Sequence, residues 1–376
     1  MGINIKIVKT KKDLKTFIKI PYIIFKDNPY WVPPLIKDEL QTFDRKKNPA
    51  YESADTKLFV VYKDEKPVGR IAGILSYIAN DKYNVKNLRF GWFDTIDDYE
   101  VASSLLKAVE NWGKELGMES LTGPHGFTDF DPEGMLIEGF DEFPTIVTIY
   151  NHSYYPELTE KYGFEKDVDY VEFKTMVPHE TGIPEKLLRL AERIKERSGL
   201  KVFKFKSKKE ILNRSKEMFE LLDEAFEEIY GSVPISKNQV KYYMKNYFSF
   251  VNPDMLKVVE NEKDEMVGFM ITFPNLSKAF QKAKGKLFPI GWYHILKALK
   301  KHEVIDFYLA GIRKKYRGLG VDLLMVIEII KTAMKKGFKY AESNPELEDN
   351  KKVQAQWKYY NPTQHKRRRI YRKKIV

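Results

Sequence analysis

Polar and apolar residues alternate over 3–8, the two-residue period of a strand with one covered face. The period lengthens over 11–25, where Leu14, Phe17, Ile18 and Ile20 share a helical face; Pro21 is expected to bend or end that helix early. The Pro- and aromatic-rich stretch Asn28-Pro29-Tyr30-Trp31-Val32-Pro33-Pro34 reads as an ordered loop that lines a pocket or packs on the core. Apolar runs at 58–62 and 68–77 around a polar turn predict a β-hairpin, and 88–93 a further strand. Residues 99–116 place Val101, Leu105, Leu106, Val109 and Trp112 on one helical face with Gly117 at its end, before a short strand at 120–122.

The same order of elements then recurs. Residues 178–184, with a proline at each end and Gly182 between, read as a linker. After it the pattern predicts a strand at 200–205, a helix at 208–230, a hairpin of 255–260 with 266–273, a long strand at 304–312, a helix at 321–336 and a strand at 338–343. Residues 275–301 have no counterpart in the first half and read as a lid, a partner helix or core packing. The fold class expected is α/β: two domains, 1–178 and 185–376 with linker 179–184, each a mixed, mainly antiparallel sheet flanked by helices.

Composition narrows this picture. A chain of 376 residues exceeds what a single core usually serves, which favours two domains. The absence of cysteine excludes disulfides, thiolate metal sites and a Cys nucleophile. No apolar leader and no span of membrane length stand out, so a cytoplasmic, non-membrane protein is expected. The net charge of +12 is spread along the chain except for Lys366-Arg367-Arg368-Arg369-Ile370-Tyr371-Arg372-Lys373-Lys374. That run reads as a phosphate-binding stripe or as the guarded edge of a final strand; nucleic acid is not the expected partner.

One turn carries phosphate chemistry. Between strand 304–312 and helix 321–336 stands Arg313-Lys314-Lys315-Tyr316-Arg317-Gly318-Leu319-Gly320. Glycines there let backbone N–H groups approach an anion at a helix N-terminus, with cations beside them; the alternative is a glycine turn on a basic surface. Hairpin, long strand and glycine turn in this order resemble the acyl-CoA loop of the GNAT (acyl-CoA N-acyltransferase) superfamily, whose pattern is Arg/Gln-x-x-Gly-x-Gly/Ala. Arg317 and Gly320 match, and Asp322 departs at the third position. In the first half, Tyr154 to Phe164 resembles the family's helix and Gly-Phe turn, but the acidic stretch Asp94, Asp97, Asp98 and Glu100 replaces the phosphate loop.

The resemblance, to tandem GNAT-like bacterial proteins of poorly characterised function, implies an N-acyltransferase. It would use acetyl-CoA or another acyl-CoA to acylate a small-molecule or peptide amine. It implies cofactor contacts from Ile312, Arg313, Arg317, Gly318, Leu319, Gly320, Val321 and Asp322. It also places a base at Glu342, ahead of Glu346 and Glu348, although on its own the residue reads first as a solvated strand-end carboxylate. The expected acid Tyr falls on Trp357, leaving Tyr359 or Tyr360 one turn away. Phe127 and Asp129 after the fifth strand of the first half, with Tyr150, Asn151 and Tyr154, are the candidate acceptor surface. No metal-ligand spacing stands out, and the alternative to an enzyme is a binding protein on the same scaffold.

Overall fold

The computed structural model describes residues 2–145, 147–246, 251–355 and 357–375. Its strands are β1 Ile3–Ile7, β2 Ala54–Lys63, β3 Lys66–Ser76, β4 Asn87–Thr95, β5 Ser120–Gly123, β6 Met135–Glu138 and β7 Glu165–Met176, then β8 Lys201–Phe203, β9 Leu256–Glu260, β10 Met266–Pro274, β11 Val304–Ile312, β12 Tyr340–Glu342, β13 Glu346–Leu347 and β14 Thr363–Lys374. The helices are α1 Lys11–Ile24, α2 Ile36–Thr42, α3 Tyr77–Tyr83, α4 Tyr99–Glu115, α5 Tyr154–Lys161, α6 Glu185–Ser198, α7 Lys208–Phe226, α8 Lys237–Asn246, α9 Ser277–Ala283, α10 Gly291–Lys300, α11 Val321–Lys336 and α12 Lys351–Gln354. No helix among the described residues is long and apolar enough to cross a membrane.

One mixed sheet runs β1-β2-β3-β4-β5-β14-β7-β12-β11-β10-β9-β8, with helices on both faces. In each half an antiparallel hairpin leads to a parallel pair, β4 with β5 and β11 with β12. α4 and α5 cover one face of the first half and α1 the other; in the second half α6 and α11 cover one face and α7 and α8 the other.

The centre of the sheet departs from the sequence expectation. β14 is no guarded edge: it lies between β5 and β7, and β7 in turn lies between β14 and β12. The two halves therefore interleave their long strands. The basic run faces carboxylates instead of solvent, with Lys366 Nζ 2.9 Å and Arg368 Nε 2.6 Å from Glu172, Arg369 Nε 2.8 Å from Asp169, and Lys373 Nζ 2.8 Å from Glu110. Burial pushes the Glu172 carboxyl up, but Lys366 and Arg368 outweigh that and bring it down to about 2.

Pro21 also differs from expectation, because α1 continues through it to Ile24. Proline removes the hydrogen bond to the carbonyl four residues back, that of Phe17, and the buried Arg70 guanidinium donates to this carbonyl at 3.4 Å.

Candidate functional site

β11 and β12 pair only from Val304–Tyr340 to Asp306–Glu342 and then separate. A bulge drives the separation: the register between β10 and β11 skips Tyr308, with Ile271 opposite Leu309 and Thr272 opposite Phe307. An extra residue bends a strand out of its ladder. The gap opens a cavity of about 1170 Å³, lined by β11 from Phe307 to Ile312, by α11, by Asn344, Glu346 and Leu347, and by Trp357 and Tyr360. Two residues of β7, Tyr170 and Thr175, lie on opposite faces of their strand, yet both line it. The cavity therefore passes through the sheet.

At one mouth stands the glycine turn. Gly318 and Gly320 hold φ of +76° and +82°, left-handed values that favour glycine, and Gly320 is the N-cap of α11 with no side-chain cap. The first-turn N–H groups of α11 thus have no capping side chain among the described residues. The equivalent helix start in the first half is closed, because the Asp98 carboxylate accepts from Glu100 N at 2.9 Å and Val101 N at 3.3 Å and pairs with Lys63. The gap beyond β4 and β5 is closed as well: His125 N bonds Phe90 O at 2.7 Å, and a Cβ at Gly91 would lie 2.0 Å from His125 O.

Of the expected cofactor residues, Ile312, Arg317, Gly318 and Asp322 line the cavity. Arg313 is tied to Met266 O at 2.8 Å and Glu224 at 3.0 Å, Leu319 points to solvent, and Val321 is buried. Arg317 donates to Ala225 O at 2.9 Å and lies 3.6 Å from Glu228, while Lys314 pairs with Glu227 and Glu228. The acids ending α7 hold these side chains, which leaves the backbone amides as the primary anion donors.

The walls carry buried polar atoms without hydrogen-bond partners among the described residues: Glu346 Oε2, Tyr360 OH and Asn344 Oδ1 beyond β12, and Asp129 Oδ1 toward the first half, where Tyr170 OH faces Glu133. Such atoms are costly unless something completes them. Glu346 accepts from Trp357 Nε1 at 2.7 Å through its other oxygen, and burial pushes its carboxyl up to about 7 despite that bond. Burial likewise pushes Tyr360 up to about 12, so its hydroxyl keeps its proton at neutral pH. Burial, then the nearby Glu133, raises Asp129 to about 7. Glu133 also lines the cavity, and its Oε2 meets the buried His125 Nδ1 at 3.1 Å.

Glu342, the base expected from the sequence, lies outside the cavity wall, in register with Asp306 and Lys174 in the sheet's central ionic cluster. Burial raises its carboxyl, with Lys366 and Lys174 opposing. Glu142, Glu342 and His365 have the spacing of metal ligands. Lys174 Nζ, 3.3 Å from Glu142 and 3.6 Å from Glu342, already supplies the cation there. Tyr359 is 56% exposed and outside the cavity.

Of the acceptor-side candidates only Asp129 lines the cavity. Phe127 is buried in the α1-side core, and Tyr150 OH donates to Phe140 O at 2.8 Å. Asn151 clamps Leu136 through bonds of 2.7 and 3.0 Å, and Tyr154 OH donates to Thr95 O at 2.8 Å. Glu133 and Tyr170 went unread in the sequence. Tyr170 could have been found from the alternation of Tyr170, Glu172 and Lys174 along β7, whereas nothing local marks Glu133.

The gapped parallel pair, the uncapped helix start beyond it and the interleaved second half decide the architecture, which matches along its whole length a solved tandem GNAT protein from the clavulanic acid biosynthesis pathway (TM-score 0.58, 10% identity, 100% of this chain and 99% of that one). The chain has the GNAT fold. No family model matches the sequence. Two curated proteins are similar over nearly full length: Protein YghO of Escherichia coli (26% identical, covering 97% of this chain and 94% of that protein) and the bacterial ceramide synthase of Caulobacter vibrioides (27% identical, 98% and 96%). Both likenesses span the two GNAT-like halves.

Proposed function

We propose that this GNAT-fold chain is an acyl-CoA-dependent N-acyltransferase that joins a long acyl chain to the amine of a long-chain amino alcohol. The observation carrying the reading is the cavity through the β11–β12 gap, with an uncapped helix start at one mouth and unpartnered buried acid, phenol and amide groups along it. In this reading the units are 1–178 and 185–376, each completed by a strand of the other, β14 beside β5 and β7 beside β12, with only the second holding acyl-CoA. A volume of about 1170 Å³ is above the ~300–1,000 Å³ usual for small-ligand sites, and the walls from β11 and α11 are largely aliphatic. Likeness to a ceramide synthase over 98% of this chain supports a lipid amine in preference to the acetyl-accepting peptide or small amine that the sequence first suggested.

The residues present suit acyl-CoA. The α11 N–H groups and the turn at Gly318 and Gly320 would take its diphosphate, and Arg317 would add charge once released from Glu228. Bound acyl-CoA supplies an activated thioester carbonyl. The Glu346 carboxylate takes a proton from the incoming ammonium so that the nitrogen lone pair can form the amide bond. Tyr360 gives its proton to the sulfur as the carbon–sulfur bond breaks and regains one as the nitrogen of the tetrahedral adduct sheds its second proton, while Glu346 passes the first to solvent. Asp129 and Tyr170 orient the amine on the first-half side of the gap. Overall, an ammonium and a thioester become an amide, a thiol and one released proton.

The test is incubation with hexadecanoyl-CoA and sphinganine, with the amide followed by mass spectrometry and the thiol by colorimetry. Matched release of both supports the reading. Turnover confined to acetyl-CoA and short polar amines would overturn the chain-length assignment. Binding of ligand without turnover would favour a second reading, a binding protein on this scaffold, for which Asp322 in the cavity wall and Trp357 in the place of the acid are the supporting observations.

A further inference from the structure

The segment between β10 and β11 is turned inside out for a water-soluble surface. α9 is anchored to the first half, with Ser277 Oγ donating to Pro144 O, Gln281 Nε2 donating to Pro29 O at 2.7 Å, and Ile36 N donating to Gly285 O. The turn and α10 that follow present their apolar side outward: Phe288 is 77%, Ile290 60%, Trp292 45%, Tyr293 51% and Leu296 50% exposed, while Gly291 is buried. Trp292, Leu296 and Lys300 fall at four-residue spacing on one outward stripe, with Tyr293 and Lys297 on the next. A surface helix ordinarily turns its aromatic and aliphatic residues to the core.

Charge identifies the occupant. From Asn275 to His302 the sequence has seven lysines, Lys278, Lys282, Lys284, Lys286, Lys297, Lys300 and Lys301, and no acid. All seven are exposed. A second copy seated on this face would bring two such lysine sets together with no acid of the patch to answer them. Aliphatic Ile290 and Leu296 gain nothing from a nucleic acid backbone. An aromatic and aliphatic stripe bordered by lysines fits the boundary between headgroups and acyl chains of an anionic bilayer, where Trp and Tyr settle and lysines meet phosphate.

We propose that the outward face of α10 and the turn at Phe288–Ile290 dock this protein on anionic membrane surfaces as a peripheral, non-spanning anchor. The surface expected from composition to shun membranes thus contains a segment built to lie on one. The proposal stands on this face alone and holds whatever the cavity binds.

Full-length protein is sedimented with extruded phosphatidylcholine vesicles with and without 30 mol% phosphatidylglycerol. Expected are binding to the anionic vesicles only, a decline as salt rises, and loss of binding in Phe288→Ser/Ile290→Ser/Trp292→Ser/Leu296→Ser with thermal unfolding unchanged. Lys297→Glu/Lys300→Glu/Lys301→Glu should weaken partitioning by at least about tenfold, since each lysine near such a surface contributes roughly a fivefold factor. A Trp292 emission blue shift on anionic vesicles, lost in Trp292→Phe, should accompany binding. No partitioning at low salt, equal binding by the four-serine variant, or a concentration-dependent dimer that this variant dissolves without any vesicle binding would each overturn the proposal.

Discussion

Replacing Glu346 by Gln removes the carboxylate while keeping the acceptor for Trp357 Nε1, so the perturbation is one of charge with little change in shape. Its carboxyl is pushed from the ordinary 4.5 up to about 7 because burial disfavours the anion more than the Trp357 hydrogen bond favours it. If Glu346 is the base, the rate should follow its ionised fraction, about one tenth at pH 6 and about nine tenths at pH 8. In Glu346→Gln that limb should vanish and the rate at pH 8 fall by about 10²–10⁴. Stability should move the other way. A carboxyl raised on folding favours the neutral form, so its ionisation erodes stability as pH climbs from about 4.5 through 7, a loss on the order of 3 kcal/mol. The Gln variant should therefore match wild type in urea unfolding at pH 4 and exceed it at pH 8. Unchanged turnover with an intact limb near 7 would refute this assignment, and a limb that disappears only in Asp129→Asn would move the base to the other side of the gap.

Tyr360→Phe should lower kcat by about 10²-fold or more with acyl-CoA affinity unchanged, as read by titration calorimetry, because it deletes a proton donor and leaves the ring in place. Asp322→Asn should tighten acyl-CoA about fivefold, by removing a carboxylate from the cavity wall beside the helix start where ~1 kcal/mol of repulsion acts at this exposure; weaker binding would show that the diphosphate lies elsewhere. Lys366→Met should cost ~3–5 kcal/mol in denaturant unfolding by leaving Glu172 buried beside Arg368 alone, with much of the loss restored in Lys366→Met/Glu172→Gln.

The second half was the more legible in the sequence. β11 and α11 run from Val304 to Ile312 and from Val321 to Lys336, as the apolar pattern predicts, because long periodic segments bracketed by Gly320 and Gly337 carry their boundaries locally. The interleaving was not legible. A strand reading Lys-Arg-Arg-Arg looks like an edge, and only the distant Glu172 and Asp169 on β7 make it a centre. The cavity shares that difficulty. The glycine turn is a local signal, but Asp129 and Glu133 reach the gap from more than a hundred residues away, and Glu346 gains its high pKa from burial that no local pattern records. Phe127, Tyr150, Asn151 and Tyr154 sit in a loop-rich stretch that resembles a binding surface, whereas their partners are core carbonyls, amides and rings. Aromatic and polar composition alone does not separate a pocket from a tie between elements.

In the proposed complex acyl-CoA enters the gap between β11 and β12 with its diphosphate on the start of α11. A crystal soaked with a non-hydrolysable thioether analogue of hexadecanoyl-CoA tests it directly. Density is expected for the diphosphate against residues 318–322 and for the acyl sulfur within reach of Tyr360 and Glu346. Diphosphate density at any other place, or a gap that stays empty at millimolar analogue, would contradict it.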